Sequence, residues 1–343
     1  MTTSDLALRL DSSLLLVLET SSQAIVRTTT RSTGEDKFIS KLEQWEDSII
    51  GAYLFIIGLL AVGLNGFALY IFYRKRSILT SNDYYILNLV VSDIILPCVA
   101  YPLSITSAFQ HVWAFGNYGC TFYGFLGFYF GLVSITTLTT MSIVRYIHIC
   151  KPHIDILKME TTRLIIVGTY VYSFIWAIIP VTGWGGYSVE PHGISCTLQW
   201  HNNQSYITLV AIFCIFLPSS IIVSCYGLIV KQYRQMKCRI RKWQPRSAKK
   251  TRAQKNYMIK MTFTMCCVFL TVWMPYAVVS MWTAYGRVSI IPIRLVVPSL
   301  LLAKCSIVIN PIVYFILNKR FQPFFLEFAN TFNKTSSVQV SVH

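Results

Sequence analysis

The chain contains 343 residues, of which 54% are hydrophobic and only 13% are charged, and its mean hydropathy is +0.52. Soluble domains carry about 25% charged residues, so this chain has too few charges to cover a water-facing surface. The composition therefore excludes disordered, collagen-like, coiled-coil and ordinary cytosolic proteins. It indicates that most of the chain faces lipid.

The net charge of +16 is concentrated in one part of the chain. Residues 231–255 contain eleven Lys or Arg and no acid, whereas residues 1–50 hold eight of the fourteen Asp and Glu. A protein that binds nucleic acid through a basic patch would spread these residues over one face of a globule. Segregation along the chain is instead typical of a membrane protein whose loops lie on opposite sides. We therefore expect contact with membrane lipid and no nucleic-acid partner.

Seven apolar runs are long enough to cross a membrane, whose hydrocarbon core of about 30 Å requires about 20 helical residues. The runs cover 49–73, 84–109, 118–149, 164–183, 206–230, 257–282 and 290–317. Prolines inside several runs are compatible with a membrane bundle, because neighbouring helices satisfy the carbonyls that proline frees. No internal repeat at a fixed period is present, which argues against an inverted-repeat transporter. The sequence predicts an all-α membrane protein, a seven-transmembrane helix bundle over 49–317.

The basic residues occur in alternate connections between these runs. The connections at 110–117 and 184–205 contain neither Lys nor Arg, whereas those on either side of them are basic. The positive-inside rule then places the N-terminus outside and the C-terminus inside. We expect a multi-pass protein of the plasma membrane. The flanking segments are expected to be a disordered extracellular tail (1–48), an amphipathic helix on the inner leaflet (318–328) and a cytoplasmic tail (329–343).

Two of the ten cysteines fall at the predicted extracellular rim. Cys120 stands near the start of the third run, and Cys196 lies in the second outer connection. A pair of this kind forms a disulfide in an oxidising compartment, so we predict that these two are linked. Asn203 begins an Asn-Gln-Ser triplet close to the membrane, which is a weak signal for N-glycosylation.

A lysine lies deep within the seventh run. At the position of Lys304 a charge costs about 2.5–3.5 kcal/mol even on the mildest insertion scale, which indicates a function. A neutral amine there would be a nucleophile towards an aldehyde, whereas an ammonium would need an acidic partner. Of the six acids that follow the N-terminal tail, Asp93 and Glu190 fall in the bundle or its outer loop, and Glu190 lies at the better depth.

Five short motifs complete a recognisable pattern. They are Asn65 in GLNGF, Asp93 in NLVVSD, Arg145-Tyr146 at the end of the third run, Trp273-Met274-Pro275-Tyr276 in the sixth and Asn310-Pro311-Ile312-Val313-Tyr314 in the seventh. Over roughly residues 50–328 the chain resembles rhodopsin-like G protein–coupled receptors. Because Lys304 precedes Asn310 by six residues, the chain resembles the opsins in particular. The stretches GWGGYSVEPHGISCTLQW and WMPYAVVSMWTAYGR are most similar to the neuropsin group of non-visual opsins.

The resemblance implies a retinal cofactor, 11-cis or all-trans, that is bound to Lys304 as a Schiff base. Visual vertebrate opsins place a glutamate three residues after the disulfide cysteine, where this chain has Tyr123. Glu190 matches the alternative counterion of bistable opsins, so we expect it to balance the charge at Lys304. The side chains expected to line the retinal pocket are Tyr123, Phe269, Trp273 and Tyr276.

The resemblance also implies a light-sensing receptor, rather than an enzyme, that activates a heterotrimeric G protein and has arrestin as a further partner. The expected switch residues are Asn65, Asp93, Arg145, Tyr146, Tyr226, Asn310, Pro311 and Tyr314. The chain departs from the family at two acidic positions, since Val144 precedes Arg145 and Lys255 stands near the start of the sixth run. We therefore expect a weakly held resting state, with raised basal signalling or an unusual G-protein preference.

Two other functions fit the same residues. The first is a retinal photoisomerase that signals little, which the two lost acids leave open. The second is a receptor for a diffusible ligand, in which Lys304 is incidental. A hydrolase or a metal enzyme finds no support, because the six histidines show no ligand spacing and no nucleophile–base arrangement is present.

Overall fold

The computed structural model describes residues 38–74, 76–154, 156, 158–201, 203–240, 246–286 and 292–317, without the side chains of 236–240 and 246–258. The expected amphipathic helix 318–328, the cytoplasmic tail 329–343 and residues 1–37 of the N-terminal tail lie outside the described residues. These assignments stay predictions, as does the orientation of the bundle in the membrane.

The prediction of seven membrane-spanning helices is confirmed for the described part of the chain. The spans, numbered one to seven in chain order, are Gln44–Arg74, Ser81–Gln110, Gly116–Cys150, Met159–Thr182, Gln204–Gln235, Ile259–Tyr285 and Ile293–Leu317. Span one begins at Gln44 rather than at residue 49. The reason is that Glu46 and Asp47 lie in its first turn, where the helix dipole favours negative charge.

Several spans consist of more than one helical segment, and two helices run beyond their spans. The divided spans are span two (Ser81–Val99 and Tyr101–Gln110), span four (Met159–Ile178 and the 3-10 turn Ile179–Thr182), span five (Gln204–Val210, the π-helical turn Ala211–Phe216 and Leu217–Ile240) and span seven (Ile293–Lys304 and Ser306–Leu317). The helices that extend beyond their spans are Leu217–Ile240 of span five and Arg246–Tyr285, which contains span six. A single 3-10 turn, Arg76–Ile78, follows span one. Span three is the most deeply buried of the seven, and the main hydrophobic core forms around it.

The break in span seven directly follows Lys304. Cys305 donates its backbone N–H to the carbonyl of Leu302, so the carbonyl of Leu301 lacks its regular helical partner. Tyr53 of span one donates its hydroxyl to this Leu301 carbonyl at 2.9 Å. Because an unsatisfied carbonyl in lipid costs several kcal/mol, the contact stabilises the break at the position of the buried lysine.

A second carbonyl of span seven is freed by proline. Pro311 has no N–H to donate to the carbonyl of Ile307 four residues earlier. The side-chain amide of Asn65 donates to this carbonyl at 2.9 Å and to the carbonyl of Ala61 at the same distance. Span one therefore compensates both irregularities of span seven, which explains why an asparagine is buried in the middle of this helix.

A β-hairpin covers one end of the bundle. Strands β1 (Tyr187–Val189) and β2 (Cys196–Leu198) pair antiparallel. The structure contains the predicted disulfide between Cys120 of span three and Cys196 of β2. The hairpin is thereby fixed to the end of span three, with the turn 190–195 above the interior of the bundle.

Candidate functional site

A cavity of about 190 Å³ lies between spans two, three, five, six and seven, beneath the hairpin. An apolar cavity of about 150 Å³ already admits benzene, so this one has room for an organic molecule of at least that size. Its lining is mainly aliphatic and aromatic, with Glu190 near the hairpin and Lys304 on span seven. A mostly apolar cleft with a few convergent polar groups is the usual form of a small-molecule site.

Lys304 presents the one amine among the described residues that line this cavity. Its Nζ donates a hydrogen bond to the hydroxyl of Tyr123 at 2.9 Å. It also lies 5.1 Å from the ring centre of Tyr101 and 5.3 Å from that of Tyr123, within the range of cation–π attraction. The amine is therefore held by the hydroxyl of Tyr123 and by the rings of Tyr101 and Tyr123.

Glu190 is buried at the turn of the hairpin, with 5% of its surface exposed. Its Oε1 accepts a hydrogen bond from the hydroxyl of Tyr276 at 3.2 Å, and this hydroxyl also lies 2.9 Å from Oγ1 of Thr197. Burial raises the pKa of Glu190 to about 7, against the opposing effects of the Lys304 charge and the Tyr276 hydrogen bond. Among the described residues no carboxylate lies within 4.0 Å of Lys304 Nζ. Glu190 therefore acts on Lys304 through space and not as a contact ion pair.

Three of the four aromatic residues expected in the pocket, Phe269, Trp273 and Tyr276, form one continuous wall. The rings of Phe269 and Trp273 are stacked with centres 5.5 Å apart, and Trp273 meets Tyr276 edge-on at 6.3 Å. Trp273 Nε1 donates to Oγ of Ser306 at 3.2 Å, so the indole is oriented by span seven. A Cβ on Gly131 would lie 3.2 Å from the indole. The absence of a side chain on Gly131 therefore makes room for the ring.

Sequence reasoning missed Tyr187 of β1, whose ring packs against span three beside the cavity. A Cβ on Gly124 would lie 2.6 Å from the ring of Tyr187, so this glycine permits the hairpin to lie close to span three. The Tyr187 hydroxyl donates to the carbonyl of Ala177 at 2.7 Å. The signal in the sequence was the small residue at position 124, but its partner lies more than 60 positions away and no local pattern identifies it.

The expected switch residues lie in two clusters at different depths. In the first, Asn310 Nδ2 donates to Oδ2 of Asp93 at 2.9 Å, beside the Asn65 contact that supports the proline of span seven. Asp93 also lines the cavity. This cluster therefore connects the wall of the cavity to the helix that carries Lys304.

The second cluster surrounds Arg145 at the opposite end of the bundle from the hairpin. The arginine is buried, and its Nη2 has no hydrogen-bond partner among the described residues. Tyr85, Tyr226 and Asp83 are close enough to act on it electrostatically. Asp83 of span two is thus a carboxylate near Arg145 that the sequence did not suggest.

The remaining expected residues differ in their burial. Tyr146 is half-buried beside Arg145, and the hydroxyl of the buried Tyr314 has no hydrogen-bond partner among the described residues. Asn203 directly precedes the first helix of span five and is half-buried, and its glycosylation stays a prediction. The side chain of Lys255 lies outside the described residues.

The seven spans, the buried cavity and its amine define a seven-transmembrane receptor with an internal ligand site. Residues 64–314 match the family described as "7 transmembrane receptor (rhodopsin family)". The chain is 36% identical to Opsin-5 of Mus musculus over 294 residues, which covers 84% of this chain and 78% of that protein. It is 35% identical to a GQ-coupled rhodopsin of Mizuhopecten yessoensis over 295 residues, or 82% of this chain and 59% of that protein.

Solved structures give the same result. The crystal structure of squid rhodopsin superimposes with a TM-score of 0.77 at 27% sequence identity, and the match covers 83% of this chain and 85% of that one. The chain belongs to the opsins of the rhodopsin family of seven-transmembrane receptors. The resemblance inferred from the sequence motifs is thereby confirmed.

Proposed function

We propose that this chain is a light receptor of the plasma membrane that binds retinal covalently through Lys304 and activates a heterotrimeric G protein. The observation that carries the proposal is the amine of Lys304 in an apolar, aromatic cavity at the break of span seven. Retinal is an apolar polyene aldehyde that, when bound to an amine, absorbs light and changes shape. The cavity fits such a group, because it offers one amine and a largely hydrocarbon lining.

The surroundings of Lys304 support its role as the attachment site. Tyr123 and Tyr101 hold the amine without neutralising it. A carboxylate in direct contact would keep the amine protonated and would suppress its nucleophilicity. The described partner of the Lys304 amine is instead the hydroxyl of Tyr123, and attack on an aldehyde requires an amine that can lose its proton.

Glu190 is the acid that best fits the role of counterion. Of the two acids that line the cavity, Asp93 accepts its hydrogen bond from Asn310, on the side of the cavity away from the hairpin. Glu190 senses the charge of Lys304 from the hairpin side. Its ionised form stabilises a cation at Lys304, and Tyr276 holds the carboxylate in place.

The other wall residues connect the cavity to the opposite end of the bundle. Trp273 contacts the cavity and hydrogen-bonds Ser306, two residues after Lys304. A displacement of Trp273 therefore acts on span seven and on span six together. We infer that this motion reaches Arg145 by a shift between resting and active populations, which exposes a G-protein site. Coupling to a G protein is supported by the similarity to a rhodopsin named as GQ-coupled.

The test is reconstitution of the purified chain with 11-cis and, separately, with all-trans retinal. We expect an absorption band that changes on illumination, and retinal that stays attached after borohydride reduction and denaturation. Lys304→Ala should abolish the attachment, whereas Lys260→Ala, at an exposed lysine of span six, should not. Covalent attachment in the Lys304→Ala variant, or none in the wild type, would refute the proposal and would favour a receptor for a diffusible ligand.

A retinal photoisomerase is the second candidate, and Val144 is the observation that favours it, because the acid that normally neighbours the family's arginine is absent. Light-dependent nucleotide exchange on a purified G protein separates the two. Exchange that rises with illumination supports the receptor. Stoichiometric conversion of added retinal in the light, without exchange on any G-protein class, supports the isomerase.

A further inference from the structure

A fully enclosed histidine lies next to Glu190 in the turn of the hairpin. His192 is 1% exposed, and its Nε2 lies 2.9 Å from Oγ of Ser195. Its Nδ1 has no hydrogen-bond partner among the described residues and lies 3.8 Å from Oε2 of Glu190. A buried ring nitrogen without a partner is costly, so this arrangement calls for a reason.

The backbone around His192 is fixed from both sides. Gly193 has φ = 89°, and a Cβ there would lie 2.6 Å from Cα of Ser40. The hydroxyl of Ser40 and the backbone N–H of Lys41 both donate to the His192 carbonyl, at 2.7 and 3.4 Å. The segment that precedes span one therefore lies directly over the turn. The imidazole is thereby covered on the side of this segment and lies beside Glu190.

The ring is neutral near pH 7. Burial, and to a lesser degree the positive charge of Lys304, lower the pKa of His192 to about 3. A neutral imidazole carries one N–H, and the neighbouring groups determine on which nitrogen it lies. Since Nδ1 faces a carboxylate oxygen, the proton is placed on Nδ1. The hydroxyl of Ser195 then donates to Nε2.

We propose that His192 is a positioning residue that favours the ionised form of Glu190, with its Nδ1–H dipole directed at the carboxylate from 3.8 Å and its ring held by Ser195. The distance is too long for a hydrogen bond, so the effect is that of a fixed dipole on a buried charge. The other groups that favour the ionised form are Tyr276 on span six and Lys304 on span seven. This inference rests on the proposed role of Glu190 as counterion, and it extends that role to a residue outside the cavity lining.

The first test uses the retinal-free protein and therefore does not depend on pigment formation. The protein is labelled with ¹³C at its glutamate carboxyls, and the protonated carboxyl band is titrated with pH by infrared spectroscopy. Subtraction of the Glu190→Gln spectrum isolates the band of Glu190. We expect His192→Leu to move the midpoint upward by about one pH unit, since a donor that favours the charged form is lost.

Two further variants separate the dipole from packing. His192→Asn keeps an N–H at the branch position of Nδ1 and should titrate close to the wild type. Ser195→Ala leaves the ring but removes the hydroxyl on Nε2, and should give an upward shift smaller than that of His192→Leu. Equal shifts in His192→Leu and His192→Asn, or no shift in His192→Leu, would overturn the inference. If His192→Leu does not fold, the comparison of Ser195→Ala with the wild type decides the question in the same way.

A second measurement distinguishes failure of this inference from failure of the proposed function. In the retinal-reconstituted protein, the pH midpoint of the absorption band is compared for Glu190→Gln, His192→Leu and the double variant. We expect Glu190→Gln to lower the midpoint most and His192→Leu to add nothing in the double variant. If Glu190→Gln leaves the midpoint unchanged, the counterion assignment is wrong, whatever His192 does. If Glu190→Gln lowers it and His192→Leu does not, only the role of His192 is wrong.

Discussion

The buried carboxyl of Glu190 makes the stability of the retinal-free protein depend on pH. Its pKa is raised from 4.5 to about 7, chiefly by burial. A group whose pKa is raised on folding contributes stability that is fully present below the unfolded pKa and is lost as the pH rises through the folded one. The stabilising contribution is therefore complete below pH 4.5 and disappears above about pH 7.

The magnitude follows from the size of this shift. A change of about 2.5 pKa units corresponds to about 3 kcal/mol of unfolding free energy. Glu190→Gln removes the titration, and its amide oxygen still accepts the hydrogen bond of Tyr276. We therefore expect the variant to match the wild type at pH 4.5 and to exceed it by up to about 3 kcal/mol at pH 8.5.

The assay is unfolding in detergent, followed by tryptophan fluorescence at several pH values. Glu160→Gln, at an exposed carboxyl of span four, is the matched control and should show no such divergence. Lys304→Met should widen the difference between wild type and Glu190→Gln, because it removes the positive charge that lowers the pKa of Glu190. An advantage of Glu190→Gln that is the same at both ends of the pH range would refute the reasoning.

Three further predictions concern helix packing and the surroundings of Arg145. Asn65→Ala should cost about 1–3 kcal/mol of stability, because it leaves the Ile307 carbonyl unsatisfied. The cost should be smaller in a Pro311→Ala background, where residue 311 regains a backbone N–H for this carbonyl. Equal costs in the two backgrounds, measured by thermal unfolding, would contradict this. Gly124→Ala should cost about 1–3 kcal/mol through its clash with the hairpin, whereas Gly127→Ala, with open space around its Cβ, should be tolerated. Asp83→Asn should raise nucleotide exchange in the dark, because it removes the negative charge that attracts Arg145. Unchanged dark exchange would show that Asp83 does not stabilise the resting state.

The helical spans were predictable because lipid imposes a simple rule. A segment that crosses hydrocarbon must be apolar for about 20 residues, so every span could be located without knowledge of its neighbours. The deviations arose at helix ends, where water and caps replace lipid as the constraint. At Gln44, for example, two acids favour an additional helical turn before the apolar run.

The lysine and the two interior acids were predictable for the same reason. A charge in an apolar run is conspicuous, which singled out Lys304 and left Asp93 and Glu190 as candidate partners. The hydrogen bonds of the site were not predictable. Position 123 was singled out only because visual vertebrate opsins have a glutamate there. That Tyr123 accepts a hydrogen bond from the Lys304 amine depends on the relative rotation of spans three and seven.

The contacts of the hairpin and of Arg145 required the structure for a different reason. His192 lies two positions from Glu190, yet nothing local shows that its ring points inward and is covered by the segment before span one. Asp83 approaches Arg145 from span two, whereas sequence reasoning examined the residue adjacent to the arginine and the start of span six. Long-range packing, which has no period along the chain, determined both.

The described hydrogen bonds of the two interior acids do not involve the amine of Lys304. Each receives its described hydrogen bond from a neutral donor, Asn310 for Asp93 and Tyr276 for Glu190. Lys304 in turn donates to a neutral phenol. No described carboxylate touches the amine, so on the proposed function Glu190 stabilises a cation at Lys304 through space. A contact ion pair favours the ammonium over the free amine, so the proposed function requires Glu190 close enough to stabilise a cation at Lys304 but out of contact with the amine.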